Sequence, residues 1–276
     1  MYAERIVVGL DYSATINDAV HWIRGDFSPA GEIILVHAVE REPRRSFMED
    51  GPAADARFSS ALSLAQDRAN RATRDLHIEG VCCRVAEGRP EDLLLAVAAE
   101  TDADLIVIGP RGHLVRPWLR LGMVAEGLLR AMDRSVLLAR GRMHDGPHRV
   151  LLALDDASNT PDVLAWVSTI RRRFGSHVLA VHVLDNVAAE RAPVRSAARA
   201  WLESSVKTAG ICDLIDFEVL QGNAADEILC VADRYLPDLL VLGKSGAGHA
   251  ERCRGGRVML SVAHGAQFPM LIVAEP

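Results

Sequence analysis

Two stretches of the 276-residue chain space their glycines alike. The first reads Gly109-Pro110-Arg111-Gly112, nine residues, then Gly122-Met123; the second reads Gly243-Lys244-Ser245-Gly246, nine residues, then Gly256-Arg257. Glycine tolerates positive φ and lets backbone N–H groups approach an anion, and a glycine that opens a helix presents unpaired N–H groups to a phosphate. Arg111 and Lys244 project from these loops as candidate side-chain partners of that phosphate. Far upstream, an aspartate closes an apolar run in each half of the chain: Asp11 after Arg5–Leu10, and Asp155 after Arg149–Leu154. A carboxylate so placed suits a ribose hydroxyl or a metal-bound phosphate.

Three sharper motifs fail by one residue each. A phosphate-cradling loop ending in Gly243-Lys244-Ser245 needs glycine where Asp238 stands; a nucleophile elbow needs it at Ala247; a dinucleotide fingerprint starting at Gly246 needs it at Glu251. Neither a nucleophile–base pair nor a set of paired carboxylates stands out, so the residues point to binding rather than to efficient catalysis. His249 and Cys253 lie four apart, and two ligands alone do not make a metal site. His37 and His182, inside apolar runs, read as hydrogen-bonded core histidines.

The elements that must position these residues repeat. Gly88, Asp92, Asp104, Gly109, Gly112 and Gly122 recur 134 positions later, and from Gly88 to Leu138 the two copies share 14 of 51 residues without a gap. That degree of identity, with glycines in register, establishes two homologous halves. The first carries an 11-residue excess, assigned to Glu40–Phe58, and the boundary falls in the polar stretch Arg140–Pro147. The domains expected are therefore residues 1–140 and 148–276.

Short β-branched apolar runs alternate with helical patterns. Strands are expected at Arg5–Leu10, Ile33–Val39, Gly80–Ala86, Leu105–Ile108 and Val136–Ala139, and at Val150–Leu154, Val178–Leu184, Ile215–Leu220, Leu239–Leu242 and Met270–Ala274. Helices are expected at Asn17–Arg24, Ala56–Leu76, Pro90–Thr101 and Met123–Met132. Continuous apolar strands belong in a parallel sheet covered on both faces, so each half reads as a doubly wound α/β domain. Ligands of such sheets sit beyond the carboxyl ends of the strands, where Asp11, Asp155, Gly109 and Gly243 fall.

Composition agrees. Apolar residues make up 49% and charged residues 25%, the balance of a globular chain with a full core. A net charge of −6 speaks against a nucleic-acid coat or a polybasic membrane anchor, and no apolar run is long enough to span a bilayer. Five cysteines without a CxxC pair fit reduced thiols, and a cytoplasmic location is expected. Only Lys207 and Lys244 among the 31 basic residues are lysine.

Tandem halves, an aspartate closing the first strand, a histidine inside the second and the G-2x-G-9x-G spacing resemble the universal stress protein family, over essentially the whole chain. The resemblance implies two five-stranded adenine nucleotide alpha hydrolase-like, Rossmann-like domains of strand order 3-2-1-4-5. It implies an ATP site, with Mg as the nucleotide's companion, formed by Asp11, Val39, Gly109, Gly112 and Gly122 in the first half. In the second half the matching positions are Asp155, Leu184, Gly243, Gly246 and Gly256. It further implies antiparallel pairing of Val136–Ala139 with Met270–Ala274, and leaves association into a homodimer open. Met123 and Arg257 depart from the family, which carries Ser or Thr after the last glycine, and Pro110 removes a backbone donor. Two expectations follow: an adenine-nucleotide-binding stress factor, at most slowly hydrolytic, or a nucleotide-free scaffold with decayed sites.

Overall fold

The computed structural model describes residues 3–11, 19, 22–23, 31–41, 52–76, 80–111, 121–141, 145–184, 192–211, 213–244 and 255–274. In chain order the first half contains β1 (Arg5–Gly9), β2 (Glu32–Val39), α1 (Pro52–Leu76), β3 (Val81–Glu87), α2 (Pro90–Glu100), β4 (Leu105–Ile108), α3 (Met123–Ala131) and β5 (Ser135–Leu138). The second contains β6 (Arg149–Ala153), α4 (Thr160–Phe174), β7 (His177–Leu184), α5 (Ala192–Thr208), β8 (Ile215–Gln221), α6 (Ala224–Tyr235), β9 (Leu239–Gly243), α7 (Gly255–Gly265) and β10 (Met270–Val273). Of the helix expected at Asn17–Arg24, Ala19, Trp22 and Ile23 are described, and all three are helical and buried.

All ten strands form one sheet, in the order β3-β2-β1-β4-β5-β10-β9-β6-β7-β8. Read outward from its own first strand, each half has the order 3-2-1-4-5. Within a half every pairing is parallel; at the seam, β5 and β10 run antiparallel, with Leu138 opposite Met270 and Val136 opposite Ile272. An edge that either half would expose alone is thereby covered by the other.

Side-chain alternation divides the core into two layers. Ile6, Val8, Leu105, Val107, Leu137, Leu271 and Val273 pack on one face with Trp22, Ala69, Trp166 and Leu202. Val7, Ile106, Ile108, Val136, Leu138, Met270 and Ile272 pack on the other, against α2, α3, α6 and α7. Both layers run without a break across the seam.

The repeated residues distant from the glycine loops have structural tasks. Asp104 accepts the Glu4 and Arg5 N–H groups at 2.7 and 3.0 Å, and Asp238 accepts the Arg149 N–H at 2.8 Å. These carboxylates cap the amino ends of β1 and β6, opposite the carboxyl edge of each half's strands. Gly88 and Gly222 turn the chain at φ +144° and +147°, where a side chain is strained. The excess of the first half lies between β2 and β3, much of it as extra turns: α1 has 25 residues and α5 has 17.

Candidate functional site

Strand order reverses between β1 and β4 in the first half and between β6 and β9 in the second, and these are the crevices in which doubly wound sheets hold ligands. Asp11 and Gly109 flank the first crevice; Asp155 and Gly243 flank the second. Val39 and Leu184 end β2 and β7 beside them, and their carbonyls accept the Gly88 and Gly222 N–H groups at 3.3 and 3.0 Å. Gly112 and Gly246 lie outside the described residues, as do His249 and Cys253.

A histidine steadies each crevice. His37 Nδ1 lies 2.7 Å from the Leu10 carbonyl and His182 Nδ1 lies 2.8 Å from that of Leu154. A carbonyl only accepts, so each Nδ1 carries the proton and donates it. Each ring thus ties the exit of the first strand of its half to the neighbouring strand; the hydrogen bond is as expected, but both rings are half-buried rather than in the core.

The first crevice commits one of its donors internally. The Gly122 N–H donates to the Pro110 carbonyl at 2.8 Å, and Pro110 has no N–H to offer. Met123 opens α3 with 87% of its surface exposed and no hydroxyl. Arg111 is also placed here, immediately after the Gly109-Pro110 turn.

The second crevice is provisioned differently. Helix α7 opens at Gly255; Gly256 and the exposed Arg257 occupy its first turn. A Cβ built on Gly256 meets no atom of the described residues within 4 Å. Packing among those residues therefore does not require the glycine, and none of them fills the space beside it, where an anion would meet the helix start. Gly243 is the opposite case: a Cβ there would lie 2.6 Å from Asn159 Nδ2. Asn159 is buried at 1% exposure, donates to the Val273 carbonyl at 3.1 Å, and its Oδ1 has no hydrogen-bond partner among the described residues. Sequence reasoning missed Asn159; its only sign was its place just before the helix-starting Thr160-Pro161.

Lys244 reaches across the seam. Its backbone N–H donates to the Val273 carbonyl at 2.7 Å, and its Nζ donates to the carbonyls of Arg130 and Met132 at 3.1 and 2.7 Å. The ammonium thus caps the carboxyl end of α3 in the other half, where unpaired carbonyls and the helix dipole favour a cation. Burial pushes its pKa down, and Asp133 opposes that shift. Arg140 makes the reciprocal contact, donating from both terminal nitrogens to the carbonyls of Ala266 and Ala263 at the end of α7, the latter at 2.9 Å.

Donor-bearing helix starts, an acidic residue at a strand end and an orphaned buried acceptor suit a phosphorylated, hydroxyl-bearing ligand better than an apolar one. Two doubly wound halves on one sheet, each with a glycine loop at its switch point, define a tandem class of α/β protein. The universal stress protein family model matches residues 3–140 and again 147–274, and the chain belongs to that family. Over 98% of its length the chain is similar to a universal stress protein from Archaeoglobus fulgidus DSM 4304, of which it covers 96%, at 18% identity and a TM-score of 0.72. A functionally unknown protein from Pseudomonas aeruginosa PAO1 is similar over 99% of this chain and 92% of its own, at 14% identity and a TM-score of 0.65. A universal stress protein from Archaeoglobus fulgidus in complex with dAMP matches 45% of this chain and 96% of its own, at 21% identity and a TM-score of 0.37. No curated protein matches the sequence. Among the described residues, no helix is long and apolar enough to cross a membrane.

Proposed function

We propose that the chain is a cytoplasmic, ligand-responsive stress factor, with domains at residues 1–140 and 148–276, that binds ATP or a related adenine nucleotide in at least one half. The second half is the better supplied. The observation that carries this reading is the amino end of α7, where no described residue fills the space beside Gly256 and Arg257 stands exposed in the first turn. Helix N–H groups and a guanidinium there would hold phosphate oxygens. Asp155 would receive the ribose, and Leu184 would line the base; Gly246 completes the motif by sequence. In the first half the corresponding set is Asp11, Val39, Gly109, Arg111, Gly112, Gly122 and Met123. A bound Mg would neutralise phosphate charge. The chain's own groups bind and orient; turnover is at most slow.

Mass spectrometry of freshly purified, denatured protein, paired with a thermal shift on adding Mg-ATP, tests the reading. A carried-over adenine nucleotide or a shift supports it, and Arg257→Ala should then weaken binding roughly tenfold or more, the loss of one charge-assisted contact. No nucleotide and no shift at millimolar Mg-ATP overturns it. One observation favours a nucleotide-free scaffold instead: Lys244 is spent on the other half.

A further inference from the structure

Helix α3 connects two distant places. Its amino end, Gly122-Met123, borders the first crevice, and its carboxyl end is held by Lys244, the residue that follows Gly243 in the second loop. The antiparallel seam makes this possible, because it turns the carboxyl edge of the second half toward the carboxyl end of α3. Helix α7 is the mirror case: Gly255–Arg257 open onto the second crevice, and Arg140 holds its other end.

We propose that Lys244 is a switch that couples the two crevices, held by the carboxyl end of α3 and drawn off it by an anion bound at the start of α7. This rests on the reading of the start of α7 as an anion site. The two states are defined by two competing partners of one ammonium. In the first, Nζ is half-buried against two neutral carbonyls that carry the partial charge of a helix end, with the charge of Asp133 close enough to be felt. In the second, it meets a fully anionic phosphate, a stronger partner for a desolvated cation. Transfer uncaps the last turn of α3, and that loosening travels along nine residues, about 13 Å of helix, to Gly122 and Met123. Linkage makes the effect reciprocal: whatever orders α3 at the first crevice tightens its hold on Lys244 and weakens anion binding at the second.

Hydrogen–deuterium exchange of the full chain with and without Mg-ATP tests this. Mg-ATP should slow exchange at the start of α7 and, in the same molecule, speed it about threefold over Gly127–Met132, the scale of one lost helix-end cation. In Lys244→Met that turn should be fast without ligand and unchanged by it. Slowing at α7 with no change over Gly127–Met132 in the wild type overturns the coupling and leaves the nucleotide reading standing. No change anywhere overturns the nucleotide reading, and the coupling falls with it. The wild-type comparison decides even if the variant does not fold.

Discussion

Lys244 Nζ lies 2.7 Å from the carbonyl oxygen of Met132, 112 residues earlier in the chain and on the far side of the β5–β10 seam. With Arg140 reaching the last carbonyls of α7, each half supplies the cation that ends the other's final helix. The sheet alone would join the halves through strand pairing. The two caps add directional bonds that fix how the helical layers meet.

The Lys244 cap should be measurable as stability. Lys244→Met keeps the length of the chain and removes the ammonium, leaving the Arg130 and Met132 carbonyls without it. The loss should be about 1 kcal/mol, the usual worth of a charged group at a partly buried helix end. Urea unfolding should show a lower midpoint with an unchanged slope. An unaltered midpoint would mean that the contact contributes nothing net.

Two glycines of one motif should respond oppositely to alanine. Gly243→Ala drives a Cβ to 2.6 Å from the buried amide of Asn159, which is itself tied to β10, and should cost about 1–3 kcal/mol of stability. Gly256→Ala meets nothing among the described residues and sits in the first turn of α7, where alanine favours the helix. That variant should be as stable as the parent or slightly more so, and should lose Mg-ATP binding by filling space that no described residue occupies. Thermal unfolding with and without Mg-ATP separates the two.

Much of this architecture is legible in the sequence, because strands buried on both faces read as unbroken apolar runs. Bounds shift by a residue where only the last ladder bond marks the end: Leu10 falls outside β1, yet its N–H still reaches the Val36 carbonyl at 2.8 Å. The direction of Lys244 was not legible, since nothing near it announces the helix end that the antiparallel seam brings alongside. Nor was the cause of Gly243, which is Asn159, 84 positions away. Local pattern specifies elements; these site details depend on which distant element comes to rest beside them.

Acid should loosen the seam through Glu126. Its carboxylate accepts Arg130 at 2.7 Å and faces His264 of α7 at 3.3 Å. The Arg130 hydrogen bond, with a smaller contribution from the charge of His264, holds its pKa below the ordinary value of 4.5. Between the folded value and 4.5 the unfolded chain binds more protons, so stability rises with pH in that window. The contribution is fully present above about pH 4.5 and disappears as pH falls through the lower, folded value. Urea midpoints from pH 3 to 6 should therefore fall less steeply in Glu126→Gln than in the wild type. Parallel profiles would remove Glu126 from the acid response.

Met123 and Arg257 occupy corresponding positions, and exchanging their chemistry should shift which half binds. Met123 is 87% exposed, so Met123→Ser should leave stability within about 0.5 kcal/mol. It adds a hydroxyl donor at the start of α3, where the Gly122 N–H is already taken by Pro110, and should strengthen Mg-ATP binding at the first crevice several-fold. Arg257→Ser does the reverse at the second crevice: it removes a guanidinium and leaves a neutral donor, and should weaken binding by about tenfold. The double variant should then bind mainly in the first half. Titration calorimetry of the three variants against the parent reads affinity and stoichiometry together. Equal affinities in all four proteins would place any nucleotide away from the starts of both helices.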